Sequence, residues 1–273
     1  MELDGKVTII TGGASGIGRG ICHAFAAQGA TVVAVDLNAD GVAETATQIG
    51  GTAMTANVAE AEDIQRVVDQ TIAQFGRVDL MFSNAGVSLG PGRGASGVDL
   101  LGDDADWAKS WAVNTLAHLY AARAVLPHML ERGQGYICST ASAAGLLTSL
   151  GSASYAITKH GAVAFAEYLS MTYGSDGITV SCLCPLGVDT PMLKSDAERS
   201  ALGRFLSEAP MQPDMVADVV VQAIRDETFL ILPHPEVREF VRRKADDHDR
   251  WLRGMRRLWT NMQEMSARRD SEG

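Results

Sequence analysis

No stretch of the 273 residues is apolar for long enough to cross a bilayer, and the opening Met1-Glu2-Leu3-Asp4-Gly5 has no export-signal character. Both absences predict a cytoplasmic protein with no membrane role. Positive charge is also scarce. Lys and Arg number 23 against 33 Asp and Glu, a formal charge of −10, which argues against a nucleic-acid surface. Cysteine is sparse too, with four in all. Cys22 falls on a helical pattern and Cys138, Cys182 and Cys184 in strand-like runs. Cys182 and Cys184 are too close for a CxxC pair, and no histidine cluster accompanies them, so a metal site is not expected. The cysteines read as small buried hydrophobes. There is no internal repeat and no sign of a second domain. The remaining composition, 46% hydrophobic and 21% charged, is that of a globular chain able to bury a large core.

What is present centres on residues 7–18, Val-Thr-Ile-Ile-Thr-Gly-Gly-Ala-Ser-Gly-Ile-Gly. The β-branched run 7–10 reads as a strand buried on both faces. Thr11, Gly12, Gly13 and Ser15 end it, and Ile21, Ala24 and Phe25 open a helical period after Gly18. In that context Gly12 permits a tight turn, Gly16 lets backbone approach a pyrophosphate, and Gly18 lets helix pack on strand. The anion would lie at the helix N-terminus, where free N–H groups and the dipole favour it. A second strand, 31–35, ends at Asp36, about 20 residues into the unit, where an acid can accept the hydroxyls of an adenosine ribose. An aspartate there repels a 2′-phosphate, and Leu37 and Asn38 offer no cation to bind one. The reading is NAD rather than NADP.

Strands and helices then alternate, which predicts a doubly wound parallel sheet. Helices are expected over 39–49, 61–75, 107–132 with a bend near Pro127, 154–173 and 215–226. Strands are expected over 52–56, 79–83, 135–139, 179–184 and 229–232, and a glycine-rich surface loop over 87–106.

Tyr155 and Lys159 stand at i and i+4 of one helix and share a face. Ser142 follows a strand, at the carboxyl edge where ligands of such sheets bind. Moving a hydride between an alcohol and nicotinamide requires a proton transfer at the alcohol oxygen. A phenol, with its pKa of about 10, is a poor base at neutral pH, and a neighbouring ammonium would lower it. Ser142 could hold the substrate oxygen.

With these residues the chain resembles the short-chain dehydrogenase/reductase family. The resemblance covers roughly residues 5–232 and rests on Thr11-Gly12-(x)3-Gly16-x-Gly18, Asn84-Ala85-Gly86, Asn114, Ser142 and Tyr155-(x)3-Lys159, in family order. It implies a single Rossmann-type α/β domain, a doubly wound parallel sheet of about seven strands with helices on both faces. Tyr155 would be the general acid/base. Lys159 would hold the nicotinamide ribose, Ser142 the reacting oxygen, and Asn114 a water that relays protons. Gly12, Ser15, Gly16, Ile17 and Gly18 would contact the cofactor. So would Asp36, Leu37, Asn57 and Val58 around the adenosine, with Asn84, Ala85 and Gly86 lining its pocket. Asn57 stands where the family commonly has Asp. After the sixth strand the family has Pro-Gly, whereas this chain reads Pro185-Leu186-Gly187-Val188-Asp189-Thr190. Gly187 would take the glycine's role, with the Val188 backbone and Thr190 side chain holding the carboxamide.

The segment 192–213 corresponds to a substrate lid, and Leu193, Leu202, Phe205, Leu206 and Met211 give it an apolar lining suited to a bulky secondary alcohol or ketone. Residues 1–234 form the dinucleotide-binding catalytic domain in this reading. Residues 235–273 form a helical extension packed on it or on a sister subunit of a homodimer or homotetramer. Trp251, Met255, Leu258 and Met262 lie on one face of that extension, among a cluster of arginines at 238, 242, 243, 250, 253, 256 and 257 interrupted by acids. Two alternatives stay open: a non-catalytic NAD-binding sensor or scaffold, which could lose a catalytic residue although none is missing, and an epimerase or dehydratase, which would carry a larger C-terminal domain.

Overall fold

The computed structural model describes residues 1–90 and 100–272, with side chains as far as 265. Seven parallel strands form one sheet in the order β3-β2-β1-β4-β5-β6-β7. They are β1 Val7–Thr11, β2 Thr31–Asp36, β3 Thr52–Thr55, β4 Leu80–Ser83, β5 Gly135–Thr140, β6 Ile178–Leu183 and β7 Leu230–Ile231. Strand β1 pairs with both β2 and β4, so the order reverses there and a crevice opens beyond the carboxyl ends of these strands.

Successive strand residues point to opposite faces, and here both faces are covered, which is why the strand sequences run apolar without alternation. Ile9, Val33 and Val35 pack on one side with helices α3 Ala61–Phe75, α5 Ala117–Glu131 and α7 Ala153–Tyr173. Ile10, Val32 and Ala34 pack on the other with α1 Gly16–Ala27, α2 Ala39–Ile49 and α10 Pro213–Arg225. Local chemistry sets the helix ends. Asn38 caps α2 by accepting the Gly41 N–H at 3.1 Å, and α2 and α3 stop at Gly50 and Gly76, both at positive φ.

The helix expected over 107–132 is divided. Helix α4, Asp104–Trp111, runs into a π turn at Ala112–Leu116 before α5 begins, and α5 passes through Pro127 without a break. The extra residue of a π turn re-aims the side chains around it, among them Asn114. The glycine-rich part of the expected loop, from Pro91 to Gly94, lies outside the described residues. Beyond β5 come α6 Ala144–Leu147, and beyond β6 the short helices α8 Pro191–Arg199 and α9 Ala201–Leu206. The C-terminal extension folds as two helices, α11 Glu236–Asp246 and α12 His248–Glu272, separated by the extended backbone of Asp247. All four cysteines are free and buried. Among the described residues no helix is long and apolar enough to cross a membrane.

The amino-terminal edge of the sheet is held by Asp79. Its carboxylate accepts the Val7 N–H at 2.9 Å, Arg77 Nε at 2.8 Å and Arg132 Nη2 at 2.7 Å, and only 5% of the residue is exposed. Burial alone would raise its pKa, but the Val7 N–H and the two guanidinium groups outweigh that and hold it below the ordinary range. A depressed carboxylate contributes stability that is present above its unfolded pKa and lost as pH falls through the folded one. Replacing Asp79 by Ala leaves the Val7 N–H without its acceptor and takes one partner from each guanidinium, and urea unfolding at pH 7 should read a loss of about 2 kcal/mol. The difference from wild type should shrink as the pH is taken below about 4.

Candidate active site

The glycine turn after β1 is closely packed. Gly12 and Gly16 have φ of +74° and +52°; a Cβ on Gly12 would lie 2.8 Å from Asn84 Nδ2, and one on Gly16 2.8 Å from Thr190 Cγ2. A Cβ on Gly18 would run into the Gly12 carbonyl. A cradle that side chains would fill, set at the N-terminus of a 12-residue helix, fits a pyrophosphate. Ser15, the N-cap of α1, makes no side-chain capping bond and lines the same cleft as Ile17.

A chain of hydrogen bonds ties this turn to the other strand ends. Thr11 Oγ1 accepts the N–H groups of Asn84 and Ala85 at 2.9 and 3.1 Å. Asn84 Nδ2 donates to the Thr11 carbonyl at 3.0 Å, and Asn84 Oδ1 accepts the Thr140 hydroxyl at 3.0 Å. The Thr140 carbonyl in turn accepts Lys159 Nζ at 2.9 Å. Asn84 spends its amide on the scaffold, and Ala85 and Gly86 face the cleft.

At the end of β2, Asp36 accepts the Ala14 N–H at 3.0 Å through one oxygen and the Asn38 N–H at 2.9 Å through the other. Each oxygen keeps a lone pair for a ribose hydroxyl. Leu37 beside it is exposed, and Asn57 and Val58 complete this end of the cleft. Asn57 Oδ1 accepts the Ala59 N–H at 3.1 Å, which fixes the side-chain amide.

Asn114, Ser142, Tyr155 and Lys159 converge at the opposite end. The π turn directs Asn114 at the backbone after β4, where its Oδ1 accepts the Val87 N–H and its Nδ2 donates to the Val87 carbonyl, both at 2.9 Å. A Cβ on Gly86 would lie 3.3 Å from both Asn114 Oδ1 and Lys159 Nζ. The Lys159 ammonium stands 5.8 Å from the centre of the Tyr155 ring. The Ser142 hydroxyl donates to the Pro185 carbonyl at 3.4 Å and its oxygen accepts the Ala144 N–H at 3.1 Å, and it stands near enough to the Tyr155 phenol to act on its pKa.

The acid–base balance differs from the expectation that Lys159 lowers the phenol pKa. Burial dominates both groups. It pushes Tyr155 up to about 12, against the lowering effect of the nearby Ser142 hydroxyl, and pulls Lys159 down to about 8. The ammonium is directed at the Thr140 carbonyl rather than the phenolic oxygen, which explains its weak hold on the tyrosine. Sequence reasoning missed His118, fully buried one turn after Asn114, with Nδ1 on Ser83 Oγ at 2.9 Å. Burial, then the Lys159 charge, lowers it to about 3, so it is a neutral imidazole beside the site.

After β6, Pro185 and Val188 line the cleft. Thr190 caps α8 by accepting the Leu193 N–H at 3.2 Å while its methyl touches Gly16. Gly187 does take a close-packed place, since a Cβ there would lie 2.6 Å from the Leu206 carbonyl. Leu186 also lines the cavity, and its N–H donates to His234 Nδ1 at 3.2 Å. A lid contact also escaped the sequence. Asp196 accepts Arg199 Nη2 at 2.6 Å, and the same Nη2 reaches the Ser88 carbonyl at 3.0 Å, pinning α8 to the loop after β4. The i, i+3 spacing of Asp196 and Arg199 was visible; the partner across the cleft was not.

One continuous cavity of about 1200 Å³ is lined by the glycine cradle and Asp36 at one end and by Tyr155, Ser142 and Lys159 at the other, while Asn114 and His118 lie buried behind its wall. That is enough for a dinucleotide and a second small molecule. Among the described residues no cluster suited to a metal ion is present. Gly16→Val would combine a strained positive φ with a clash against Thr190. Titration calorimetry should read at least a tenfold weaker affinity for nicotinamide dinucleotide, about 1.4 kcal/mol, for this variant.

Residues 6–201 match the family described as short chain dehydrogenase. The chain is 34% identical to 1-deoxy-11-beta-hydroxypentalenate dehydrogenase of Streptomyces exfoliatus, over 90% of each chain. It is 36% identical to D-threitol dehydrogenase of Mycolicibacterium smegmatis, over 84% of this chain and 90% of that one. Its fold is similar to that of a short chain dehydrogenase/reductase from Burkholderia phymatum in complex with NAD, with a TM-score of 0.80 and 29% identity over 91% and 96% of the two chains. It is also similar to 3-ketoacyl-(acyl-carrier-protein) reductase from Brucella melitensis complexed with NADH, with a TM-score of 0.75 and 26% identity over 84% and 96%. A family match across well over half of the sequence, with relatives above 30% identity along nearly their whole length, makes this chain a member of the short chain dehydrogenase family of oxidoreductases.

Proposed function

We propose that this protein is an NAD-dependent oxidoreductase that interconverts a secondary alcohol and its ketone, on a bulky and largely hydrophobic substrate. The observation that carries the reading is the convergence of Tyr155, Ser142 and Lys159 at the cavity end opposite Asp36. Bound nicotinamide supplies the hydride acceptor or donor. Gly12, Ser15, Gly16, Ile17 and Gly18 would hold its pyrophosphate, Asp36 and Leu37 the adenosine ribose, and Asn57, Val58, Asn84, Ala85 and Gly86 the adenine pocket. At the other end Pro185, Gly187, Val188 and Thr190 would hold the carboxamide, with Tyr155 and Lys159 at the ribose.

The remaining chemistry belongs to the chain. Ser142 donates a hydrogen bond to the substrate oxygen and fixes its distance from the phenol. Tyr155 gives its proton to a ketone oxygen as hydride arrives at the carbon, or takes the alcohol proton in reverse. Its raised pKa keeps it in the acid form at neutral pH. Lys159 stabilises the phenolate when that forms, and Asn114 holds the loop after β4 against both. The carboxylate of Asp36 supports NAD over NADP, because a 2′-phosphate would be placed against a like charge. The NAD and NADH bound by the two related structures support the same choice. The related dehydrogenases are named for 1-deoxy-11-beta-hydroxypentalenate and for D-threitol; the apolar lid residues Leu193, Leu202, Phe205 and Leu206 favour a large substrate of low polarity. Assembly into a homodimer or homotetramer belongs to the same reading, supported by Ile157, Tyr168 and Met171, apolar side chains at least half exposed along α7.

The test is nicotinamide absorbance on a panel of aliphatic, alicyclic, aromatic and sugar alcohols, with NAD and NADP in parallel. Oxidation of a bulky alcohol with NAD is expected; activity with NADP alone contradicts the role given to Asp36. Because the phenolate is the base and the phenol is raised to about 12, alcohol oxidation should rise as pH increases from about 7 to about 10, while ketone reduction, which uses the phenol, should stay nearly flat over that range. Asp36→Ala should raise the NADP to NAD ratio of kcat/KM by at least about tenfold, since it removes both the hydroxyl acceptor and the like charge.

A further inference from the structure

The family match ends at residue 201, yet the cavity that holds Tyr155 and Ser142 continues onto residues well beyond it. Phe240 of α11 and Trp251, Met255 and Leu258 of α12 line it. The last three are spaced i, i+4, i+7, one face of one helix. We propose that α11 and α12 form the outer wall of this subunit's own substrate site, and that Phe240, Trp251, Met255 and Leu258 select a bulky hydrocarbon skeleton. This rests on the oxidoreductase reading above and assigns its specificity to the extension.

The extension is anchored in place rather than loosely draped. Leu186, the residue that interrupts Pro-Gly after β6, packs in one apolar cluster with Ala143, Leu147, Val237, Phe240 and Trp251. Ala143 adjoins Ser142, so this cluster joins the wall to the residue that holds the substrate oxygen. The Phe240 and Trp251 rings lie 6.4 Å apart at 43°. Lys244 Nζ donates to the Leu146 carbonyl at 2.7 Å, and the Trp259 ring closes on Gly151, where a Cβ would lie 3.2 Å from Cη2. Residues 146 and 151 flank Thr148, a non-glycine at φ +79° on the strand-to-helix path from Ser142 to Tyr155.

The wall's chemistry limits what it accepts. Its four side chains offer apolar area and, save the indole N–H, no hydrogen-bond partner. Arg243, which also reaches the cavity, is engaged by Glu239 at 2.7 Å. A polyol would leave hydroxyls unpaired against such a surface, whereas each hydrocarbon methylene placed there gains affinity. The substrate therefore carries its reacting alcohol or ketone at one end and an extended, mostly hydrocarbon body at the other.

The experiment uses the full chain with NAD and cyclic secondary alcohols from cyclopentanol to cyclododecanol. In wild type kcat/KM should rise roughly fourfold per added methylene until the wall is filled. In Trp251→Ala and Phe240→Ala the loss should grow with ring size, reaching at least about tenfold for the best wild-type ring. Trp251→Phe should recover part of it, and NAD affinity and thermal unfolding report whether each variant is folded. A loss equal at every ring size, or no loss, overturns the wall. If wild type oxidises none of the alcohols, the oxidoreductase reading fails, and the wall is judged by tryptic cleavage at the arginines of α12. Cyclododecanone with NAD should slow that cleavage in wild type and not in Trp251→Ala. Equal cleavage with and without the ketone overturns the proposal.

Discussion

The carboxyl edge of the sheet is organised by one run of hydrogen bonds, from Thr11 through Asn84 and Thr140 to Lys159. It joins the ends of β1, β4 and β5 and then a helix on the far side of the cleft. Parallel pairing alone fixes strand spacing and leaves the ends free to splay. Asn84 prevents this by donating to one strand and accepting from another, which requires a side chain with both functions on one planar amide. The Thr140 carbonyl at its end accepts an ammonium that is almost fully buried, and that charge would be intolerable there without such a partner. The glycine turn and Lys159 are thus held in one frame.

Burial has a second consequence at the same place. Around half-buried Tyr155 loss of solvent shifts three groups: the phenol is raised to about 12, the lysine lowered to about 8 and His118 to about 3. Each shift favours the neutral form, as loss of solvent dictates. Low local dielectric also strengthens dipoles directed at a developing charge, so under the proposed mechanism the Ser142 hydroxyl would act on the substrate oxygen, and the Lys159 ammonium on the phenolate, with little solvent screening. The π turn at Ala112–Leu116 belongs to this arrangement, since it lets Asn114 grip Val87 and hold the loop that walls off the ammonium.

What the sequence made legible is what is local. The glycine turn, the acid closing β2 and the i, i+4 pair Tyr155 and Lys159 are short-range patterns, and their placement follows from strand and helix geometry. The seven-strand sheet follows from alternation alone. Less legible was whatever depends on contacts distant in sequence. The π turn sits inside a uniform helical pattern and is set by Val87, more than twenty residues away. The phenol pKa depends on burial, which i, i+4 spacing does not report. Leu186 reads as a departure from a motif, and only its packing against Phe240 and Trp251 gives it a purpose. The extension's apolar face was visible, but the split at Asp247 and the cavity it closes were not.

The central claim is that Tyr155 moves the proton at the reacting oxygen while the frame around it binds the cofactor. The most direct measurement is single-turnover reduction of NAD by a saturating alcohol in wild type and Tyr155→Phe, with the NAD dissociation constant measured on the same samples. The account predicts a rate lower by at least about a thousandfold in the variant with NAD affinity within about threefold of wild type. A variant that turns over at the wild-type rate would contradict it.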